Sequence, residues 1–323
     1  MTRVLVTGAA GFVGRTLCEM LSGSGYRIRA ALRGDRGEPI DSCERTVVGD
    51  IGEATDWSTA LAGVDSVIHL AARTHVLGDP PGNFDLYFEA NDRGTRKLAE
   101  ACAQAGVRRL VYLSSIKVNG EQTVVRPFVP EDQPAPADAY ARSKWCGEQA
   151  VAAAGARGSM EVAIVRSPLV YGAGVRANFL RLMERIDRQS ILPLGAIDNR
   201  RSLVSVWNLC DLLGAVLRTP QAAGKTWLVS DGEDLSTPEL IRHIARAMNR
   251  RARLVSIPPV LLRMLGMVAG RSDEISRLCS SLVVDITRTR AELGWSPPVP
   301  LDEALSRTAA WYFDNRPPRH PVK

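Results

Sequence analysis

The sequence predicts an α/β protein built on a doubly wound parallel sheet. Short apolar strand patterns alternate with helical patterns over the first half of the chain, a glycine-rich turn joins the first strand to the first helix, and this regularity fades after about Arg166. Such alternation implies parallel strands joined by helical crossovers. We expect a first domain at residues 1–168 and a smaller α/β domain at 169–323, with about 202–217 folding back onto the first.

The predicted elements of the first domain follow from short apolar runs and from helical periodicity. We place the strands at 4–6, 28–32, 47–48, 66–70, 110–113 and 162–165. We place the helices at 15–22, 57–61, 84–104 and 140–154. In the second half, 202–206 followed by a helix at 208–217 forms the segment that we expect to fold back.

Composition narrows the class of protein. The chain has 323 residues, 45% of them apolar, which suffices for a large core. No apolar run reaches membrane-spanning length, the start does not resemble a secretory signal, and the six cysteines have no metal-ligand spacing. The net charge of +6 is dispersed and not interleaved with aromatic residues. We therefore expect a cytoplasmic protein with no metal site and no membrane or nucleic-acid partner.

The glycine-rich turn predicts a nucleotide site. Gly8, Gly11 and Gly14 lie between the first strand and the first helix. The first glycine permits a tight turn, the second lets backbone approach a pyrophosphate, and the third allows close packing of helix and sheet. The helix N-terminus adds free N–H groups and a favourable dipole. Two residues separate the first two glycines, which differs from the usual dinucleotide fingerprint.

The end of the second strand indicates which dinucleotide binds. A carboxylate at this position would bind the ribose 2′-hydroxyl of NAD. This chain has Arg33 there, and Asp35 follows too late to take that role. A guanidinium pairs well with a 2′-phosphate. We therefore expect a preference for NADP(H), with NAD(H) as a possible cofactor.

A candidate catalytic set lies around the fifth strand. Ser115 ends that strand, while Tyr140 and Lys144 stand four residues apart on one face of the following helix. A phenol has an unperturbed pKa near ~10, so a nearby ammonium and a serine hydroxyl are needed to make it useful at neutral pH. Such a set can exchange a proton with an oxygen that changes between alcohol and ketone.

With these residues assembled, the chain resembles the extended short-chain dehydrogenase/reductases, within them the nucleotide-sugar epimerases, dehydratases and reductases. The resemblance covers nearly the whole chain and implies a Rossmann-like first domain. It rests on segments 7–14, 49–51, 69–72, 91 with 94–95, 113–115, 140–144, 166–172, 201–209 and 292–295.

The resemblance implies a role for individual residues. Tyr140 is the general acid/base, Ser115 orients the substrate oxygen, and Lys144 holds the nicotinamide ribose and depresses the pKa of Tyr140. The implied cofactor-binding positions are Gly8, Gly11, Phe12, Val13, Arg33, Asp50, Ile51, Leu70, Ala71, Ala72, Tyr140 and Lys144. The implied diphosphate-binding positions are Asn178, Arg201 and Arg277 or Arg271. Arg73, His75 and Lys117 would lie near the sugar.

Departures from the family pattern narrow the expected reaction. Dehydratases of this group carry an Asp-Glu pair after the catalytic hydroxyl residue, whereas Ser115 is followed by Ile116 and Lys117. The run 114–121 looks like that of bacterial proteins thought to reduce the 4-ketone of a UDP-2-acetamido-2,6-dideoxyhexulose for surface polysaccharide. We therefore expect a 4-keto reductase acting on a UDP-sugar.

Two alternatives to the reductase remain. One is a 4-epimerase that keeps NAD bound, oxidises C4 and returns the hydride to the other face. The other is a non-catalytic NADP-sensing protein, ranked last because the serine–tyrosine–lysine set is intact. The resemblance also implies a homodimer formed through the helices at 84–104 and 140–154.

Overall fold

The computed structural model describes residues 2–35, 40, 43–74, 84–268 and 272–316. A seven-stranded sheet of order β3-β2-β1-β4-β5-β6-β9 forms its centre, and every neighbouring pair in it is parallel. A second sheet has the order β10-β8-β7. The strands are β1 (Arg3–Thr7), β2 (Arg27–Leu32), β3 (Cys43–Val47), β4 (Ser66–His69), β5 (Arg109–Ser115), β6 (Glu161–Ser167), β7 (Leu169–Tyr171), β8 (Arg201–Ser205), β9 (Lys225–Leu228) and β10 (Asp234–Leu235).

Helices cover both faces of the large sheet, which confirms the predicted fold class. A π-helical turn at Glu89–Arg93 joins α3 to α4, and a 3₁₀ turn at Ile116–Val118 follows β5. A second 3₁₀ turn lies at Pro220–Ala222. The helices are α1 (Phe12–Gly23), α2 (Ser58–Leu61), α3 (Phe84–Phe88), α4 (Gly94–Gln104), α5 (Ala139–Ala156), α6 (Ala177–Asp187), α7 (Val206–Arg218), α8 (Thr237–Ala247), α9 (Pro259–Val268), α10 (Ser272–Cys279), α11 (Thr287–Leu293) and α12 (Leu301–Asn315).

The third strand lies earlier in the chain than predicted. It spans Cys43–Val47, whereas apolarity alone pointed to Val47 and Val48. The strand is at the edge of the sheet, and most of its side chains are exposed or half-buried. An edge strand with a polar face has no continuous apolar run, so a search for apolar runs does not find where it begins.

Two apolar layers enclose the large sheet, and a third core fills the second region. One layer packs α1 and α7 on the sheet, through residues such as Leu17 and Leu213. The opposite layer packs α2, α4 and α5, with Leu98 and Val151 fully buried. The third core joins α6, α8 and α12. Helix α7 comes from the second half of the chain, so the two halves share one core.

A buried arginine holds the C-terminus of α7 against the sheet. The Arg109 guanidinium on β5 donates to the carbonyl oxygens of Val216, Leu217 and Thr219 at 2.8, 2.9 and 2.8 Å. It also forms an ion pair with Glu161 at 2.6 Å. The Val216 and Leu217 carbonyls lie in the last turn of the helix, where intrahelical donors run out, so the guanidinium satisfies them.

Candidate active site

The glycine-rich loop brings two strand ends within contact distance. Gly8 has a φ of +67°, and a Cβ there would lie 2.9 Å from the Ala71 backbone nitrogen after β4. A Cβ on Gly14 would lie 2.2 Å from the Gly8 oxygen. Only glycine fits these two positions, because side chains would push the loop away from β4 and α1 away from the loop.

The N-terminus of α1 fits a diphosphate. Gly11 is the N-cap and provides no capping side chain, and the first turn contains no acidic residue. The N–H groups of Phe12, Val13 and Gly14 therefore have no intrahelical acceptors, and the helix dipole favours an anion in front of them. A Cβ on Gly11 would lie 3.0 Å from the Gly8 oxygen, so the turn leaves little room for a side chain there. The loop matches the cofactor role that the sequence predicts for it.

Arg33 and Asp50, both predicted to bind the cofactor, contact each other. Arg33 follows β2, Asp50 follows β3, and Arg33 Nε lies 2.6 Å from Asp50 Oδ1. Their side chains are 83% and 79% exposed, so a ligand can reach either of them. Ile51 packs against the start of α4, where a Cβ on Gly94 would lie 2.6 Å from its Cγ2.

A buried polar chain under the loop was not predicted. Thr7 Oγ1 accepts hydrogen bonds from the backbone nitrogens of Leu70 and Ala71, both at 3.2 Å. Its hydroxyl is then the donor to His69 Nδ1 at 2.6 Å, so Nε2 carries the proton toward Thr95 Oγ1 at 3.0 Å. Burial lowers the pKa of His69 to about 3, which keeps the ring neutral. The chain fixes the backbone of 70–71, which the sequence assigned to the cofactor.

The π-helical turn places an amide where it can connect three elements. Asn91 Oδ1 accepts from the Arg73 nitrogen at 2.8 Å, and its Nδ2 donates to the Arg73 oxygen at 2.9 Å. Nδ2 also donates to Ser143 Oγ at 3.0 Å, next to Lys144 on α5. Asn91 is fully buried. The segment after β4 and the helix that bears Tyr140 are thus held by one side chain.

Ser115 and Tyr140 meet at the C-terminal end of β5, and Lys144 binds the backbone of the same strand. Their side chains come from β5 and α5, and a hydrogen bond links the Ser115 and Tyr140 side chains. Lys144 Nζ donates to the Leu113 oxygen at 2.8 Å and lies 4.1 Å from the centre of the Tyr112 ring. In open parallel sheets, ligands bind at this end of the strands.

The two titratable groups of this set are shifted in opposite directions. Burial raises the pKa of Tyr140 to about 12, while the hydrogen bond with Ser115 opposes the rise and the Asp138 carboxylate adds to it. Burial lowers the pKa of Lys144 to about 7, although Glu148 acts against this. Desolvation is thus the largest influence on the pKa of Tyr140 in the chain alone, and the lowering by Lys144 that the resemblance implies stays a prediction for the enzyme with its cofactor bound.

Lys144 also makes the stability of the fold depend on pH. Its pKa is about 7 in the fold and near 10.5 in the unfolded chain, so the unfolded state binds more protons between these values. Stability should therefore rise with pH over this window, by at most about 1.4 kcal/mol per pH unit from this residue. Lys144→Met should remove that part of the slope. Urea unfolding of both proteins between pH 7 and 9 measures the difference, and equal slopes would contradict the assignment.

The residues predicted near the sugar lie around Tyr140. The Arg73 guanidinium lies 5.8 Å from the centre of the Tyr87 ring, and that ring meets the Tyr140 ring edge-on at 6.5 Å. Lys117 Nζ contacts Asp138 Oδ2 at 2.5 Å and Glu121 at 2.9 Å. His75 and Arg271 were also predicted to bind substrate, and both lie outside the described residues.

The second region places Arg201 beside Arg277. Arg201 is largely enclosed and donates to the Arg277 and Ser280 carbonyl oxygens at 2.8 and 3.1 Å. Burial lowers the pKa of Arg201, and Glu121 opposes this effect. Arg277 is exposed at the end of α10, and Asn178 is exposed in the first turn of α6.

Two segments that are distant in the sequence pair through their backbones next to Arg201 and Arg277. The backbone nitrogen of Thr123 donates to the Ser281 oxygen, and that of Phe128 donates to the Val283 oxygen, both at 2.8 Å. The loop after Ser115 is therefore paired with the segment after α10.

No set of three metal-ligating side chains occurs within the described residues, and none of their helices is long and apolar enough to cross a membrane.

Comparison with known proteins assigns the family. The model of the NAD dependent epimerase/dehydratase family matches residues 4–230. The chain belongs to this family. The resemblance drawn from the sequence is thereby confirmed, and the family's description names NAD as the cofactor.

Members of the epimerase/dehydratase family align along nearly the full length. A UDP-glucose 4-epimerase of Vibrio cholerae is 41% identical over 310 residues, which span 95% of this chain and 94% of the relative. An N-acetyl-α-D-glucosaminyl-diphospho-ditrans,octacis-undecaprenol 4-epimerase of Escherichia coli O157:H7 is 26% identical, over 96% and 95% of the two chains. The solved structure of MoeE5 with UDP-glucuronic acid and NAD has a TM-score of 0.79 at 25% identity, over 97% of this chain and 100% of that one.

Proposed function

We propose that this protein is an NAD(P)-dependent enzyme that acts at C4 of a UDP-sugar, with 4-epimerisation as its main reaction. One observation carries the proposal: the Ser115 and Tyr140 side chains share a hydrogen bond at the end of β5, and Lys144 of the same helix binds the Leu113 oxygen of that strand. The relative that is 41% identical is named a UDP-glucose 4-epimerase, which supports the epimerase over the reductase that the sequence alone favoured.

In this proposal each side chain has a defined task. Ser115 holds the C4 oxygen, and Tyr140 takes its proton during oxidation and returns it during reduction. Arg201 and Arg277 bind the diphosphate of the nucleotide, and Asn178 adds an amide donor. The N–H groups that begin α1 hold the cofactor diphosphate, and Lys144 holds the ribose beside the nicotinamide. The bound dinucleotide supplies the hydride acceptor that these residues lack.

Reduction of the 4-ketone of a UDP-2-acetamido-2,6-dideoxyhexulose is the second candidate. Arg33 favours it, because it occupies the end of β2 where an acid would bind the ribose of NAD, and its side chain is exposed. NADPH is a consumed reductant in such a reaction, whereas an epimerase keeps its cofactor through the cycle. The fate of the cofactor therefore separates the two reactions.

The experiment begins with freshly purified protein, which is denatured so that any released dinucleotide can be identified. UDP-glucose and UDP-N-acetylglucosamine deuterated at C4 are then incubated with the enzyme and followed by NMR. The 4-epimer with deuterium retained at C4, without net change in cofactor, supports the epimerase. Oxidation of NADPH only when the 4-keto sugar is present supports the reductase. Failure of both reactions would contradict the proposal.

Arg33→Glu tests the cofactor preference. We expect the Kd for NADPH to rise about tenfold or more, because a carboxylate replaces a cation that faces the 2′-phosphate, while the Kd for NADH stays equal or falls. Titration of cofactor-free protein by fluorescence measures both constants. Arg251→Glu, an exposed site in the second region, makes the same change in charge and should alter neither constant. Equal effects of Arg33→Glu on both cofactors would remove Arg33 from the site.

A further inference from the structure

Two charged residues flank the catalytic pair at matching positions. Lys117 comes two residues after Ser115, and Asp138 comes two residues before Tyr140. Lys117 Nζ lies 2.5 Å from Asp138 Oδ2, and the two side chains are 21% and 30% exposed. Glu121 provides a second carboxylate oxygen to Lys117 at 2.9 Å. The ion pair thus connects the two chain segments that carry the catalytic hydroxyl groups.

Each partner is also bonded into the start of its own element. Asp138 is the N-cap of α5, where its Oδ1 accepts from the Ala141 nitrogen at 2.7 Å. Ser115 is the N-cap of the 3₁₀ turn, where its Oγ accepts from the Lys117 nitrogen at 3.3 Å. One carboxylate oxygen of Asp138 therefore caps the helix, and the other binds the lysine. A long loop separates Ser115 from Tyr140 in sequence, and the ion pair adds a contact between their segments to the hydrogen bond that links the two side chains.

We propose that Lys117 and Asp138 are a positioning pair. Their ion pair keeps the Ser115 and Tyr140 side chains within hydrogen-bonding distance of each other for the reaction proposed above. The sequence had placed Lys117 against the sugar. Its ammonium instead binds two carboxylates of the chain, and the pair acts on the substrate through Ser115 and Tyr140. This inference rests on the proposed function for its kinetic consequences, whereas its effect on Tyr140 itself can be measured without any substrate.

The pair also controls the charge that faces Tyr140. Asp138 raises the pKa of Tyr140, and Lys117 partly neutralises Asp138. The other groups that face the phenol are Ser115, Lys144, Tyr87 and Tyr112, with Arg73 beyond Tyr87 and Glu121 beyond Lys117. Lys117→Met also removes the lysine partner of Glu121, which adds uncompensated negative charge and acts on the pKa of Tyr140 in the same direction as the loss of the lysine. Loss of the lysine should raise the pKa of Tyr140, and loss of the carboxylate should lower it.

The test uses Lys117→Met, Asp138→Asn and the double variant. Asparagine still caps α5, so Asp138→Asn removes the charge and spares the helix start. We expect kcat to fall about 10- to 100-fold in each single variant, since small displacements of reacting groups have effects of this size. The double variant should be no slower than the slower single variant, because both substitutions remove the same contact. Lys117→Arg should restore most of the activity, and Arg251→Met, at an exposed position of the second region, should leave it unchanged.

A readout independent of turnover comes from NMR titration of protein labelled at the tyrosine Cζ carbons, with Tyr140→Phe to assign the signal. The Tyr140 signal should titrate later in Lys117→Met and earlier in Asp138→Asn. Shifts in the same direction, or additive losses of kcat, would overturn the positioning pair. A higher KM in Lys117→Met alone would return Lys117 to the sugar. If wild-type protein turns over no UDP-sugar, the proposed function fails. The titration still shows whether Lys117 and Asp138 act on Tyr140.

Discussion

Tyr140→Phe should lower turnover by about 10²- to 10⁴-fold, the range over which a general acid/base contributes. The substitution removes one oxygen and leaves the ring edge-on to Tyr87, so the packing of α5 is kept. Cofactor affinity should stay nearly unchanged, because Lys144 and the N-terminus of α1 are untouched. Steady-state kinetics with the active UDP-sugar and fluorescence titration with NADH and NADPH measure the two effects.

Tyr26→Phe is the matched control for this experiment. Tyr26 lies between α1 and β2, packs against the core beside the sheet and is remote from the catalytic set. It loses the same oxygen, so its turnover should stay within about twofold of wild type, as for substitutions away from special features. If Tyr140→Phe retains full activity, Tyr140 does not transfer the proton and the mechanism proposed here is wrong.

Glu148→Gln should lower the free energy of unfolding by about 3–5 kcal/mol, as expected when one partner of a buried ion pair is lost. Arg166 donates to both oxygens of Glu148, at 2.9 and 2.7 Å, and to Asn119 at 3.0 Å. Glu148 and Arg166 are only 2% and 3% exposed. A glutamine keeps the shape but leaves the guanidinium charge uncompensated in the core. Urea unfolding at pH 7 gives the difference, with the slope compared to check that unfolding stays cooperative.

Glu303→Gln provides the comparison for an exposed ion pair. Glu303 pairs with Arg307 on α12, and their side chains are 50% and 45% exposed. Its loss should change stability by no more than about 0.5 kcal/mol, because water and salt screen such a pair. Equal effects of the two substitutions would mean that Arg166 is solvated when Glu148 is neutral, which would contradict the burial described above.

The parts of the site that depend on local sequence could be predicted. Position 8 requires glycine for its positive φ, and position 14 requires glycine because a side chain would clash with the loop. The spacing of these glycines therefore identifies the loop from the sequence. Tyr140 and Lys144 lie on one helix face because of their spacing. The parallel sheet followed from the alternation of strands and helices.

The parts that depend on contacts between distant segments could not be predicted. Asn91 acts through a π-helical turn, and neither that turn nor its reach to Arg73 and Ser143 has a local pattern. His69 looked like one more residue of a buried strand. Desolvation, the largest influence on the pKa of Tyr140, depends on every group packed around the ring, whereas sequence spacing shows only Lys144 beside it.

The partners of Arg109 determine when this protein can finish folding during its synthesis. The carbonyls that satisfy this arginine belong to residues 216–219, about 100 positions later in the chain. Until the ribosome has released α7, one face of the sheet lacks its apolar cover and Nη1 of the Arg109 guanidinium lacks its three carbonyl acceptors. Strand β9 then completes the sheet at residues 225–228. The cofactor-binding half therefore cannot reach its native state as a nascent fragment, and a gene fragment that stops at residue 168 should yield an insoluble product.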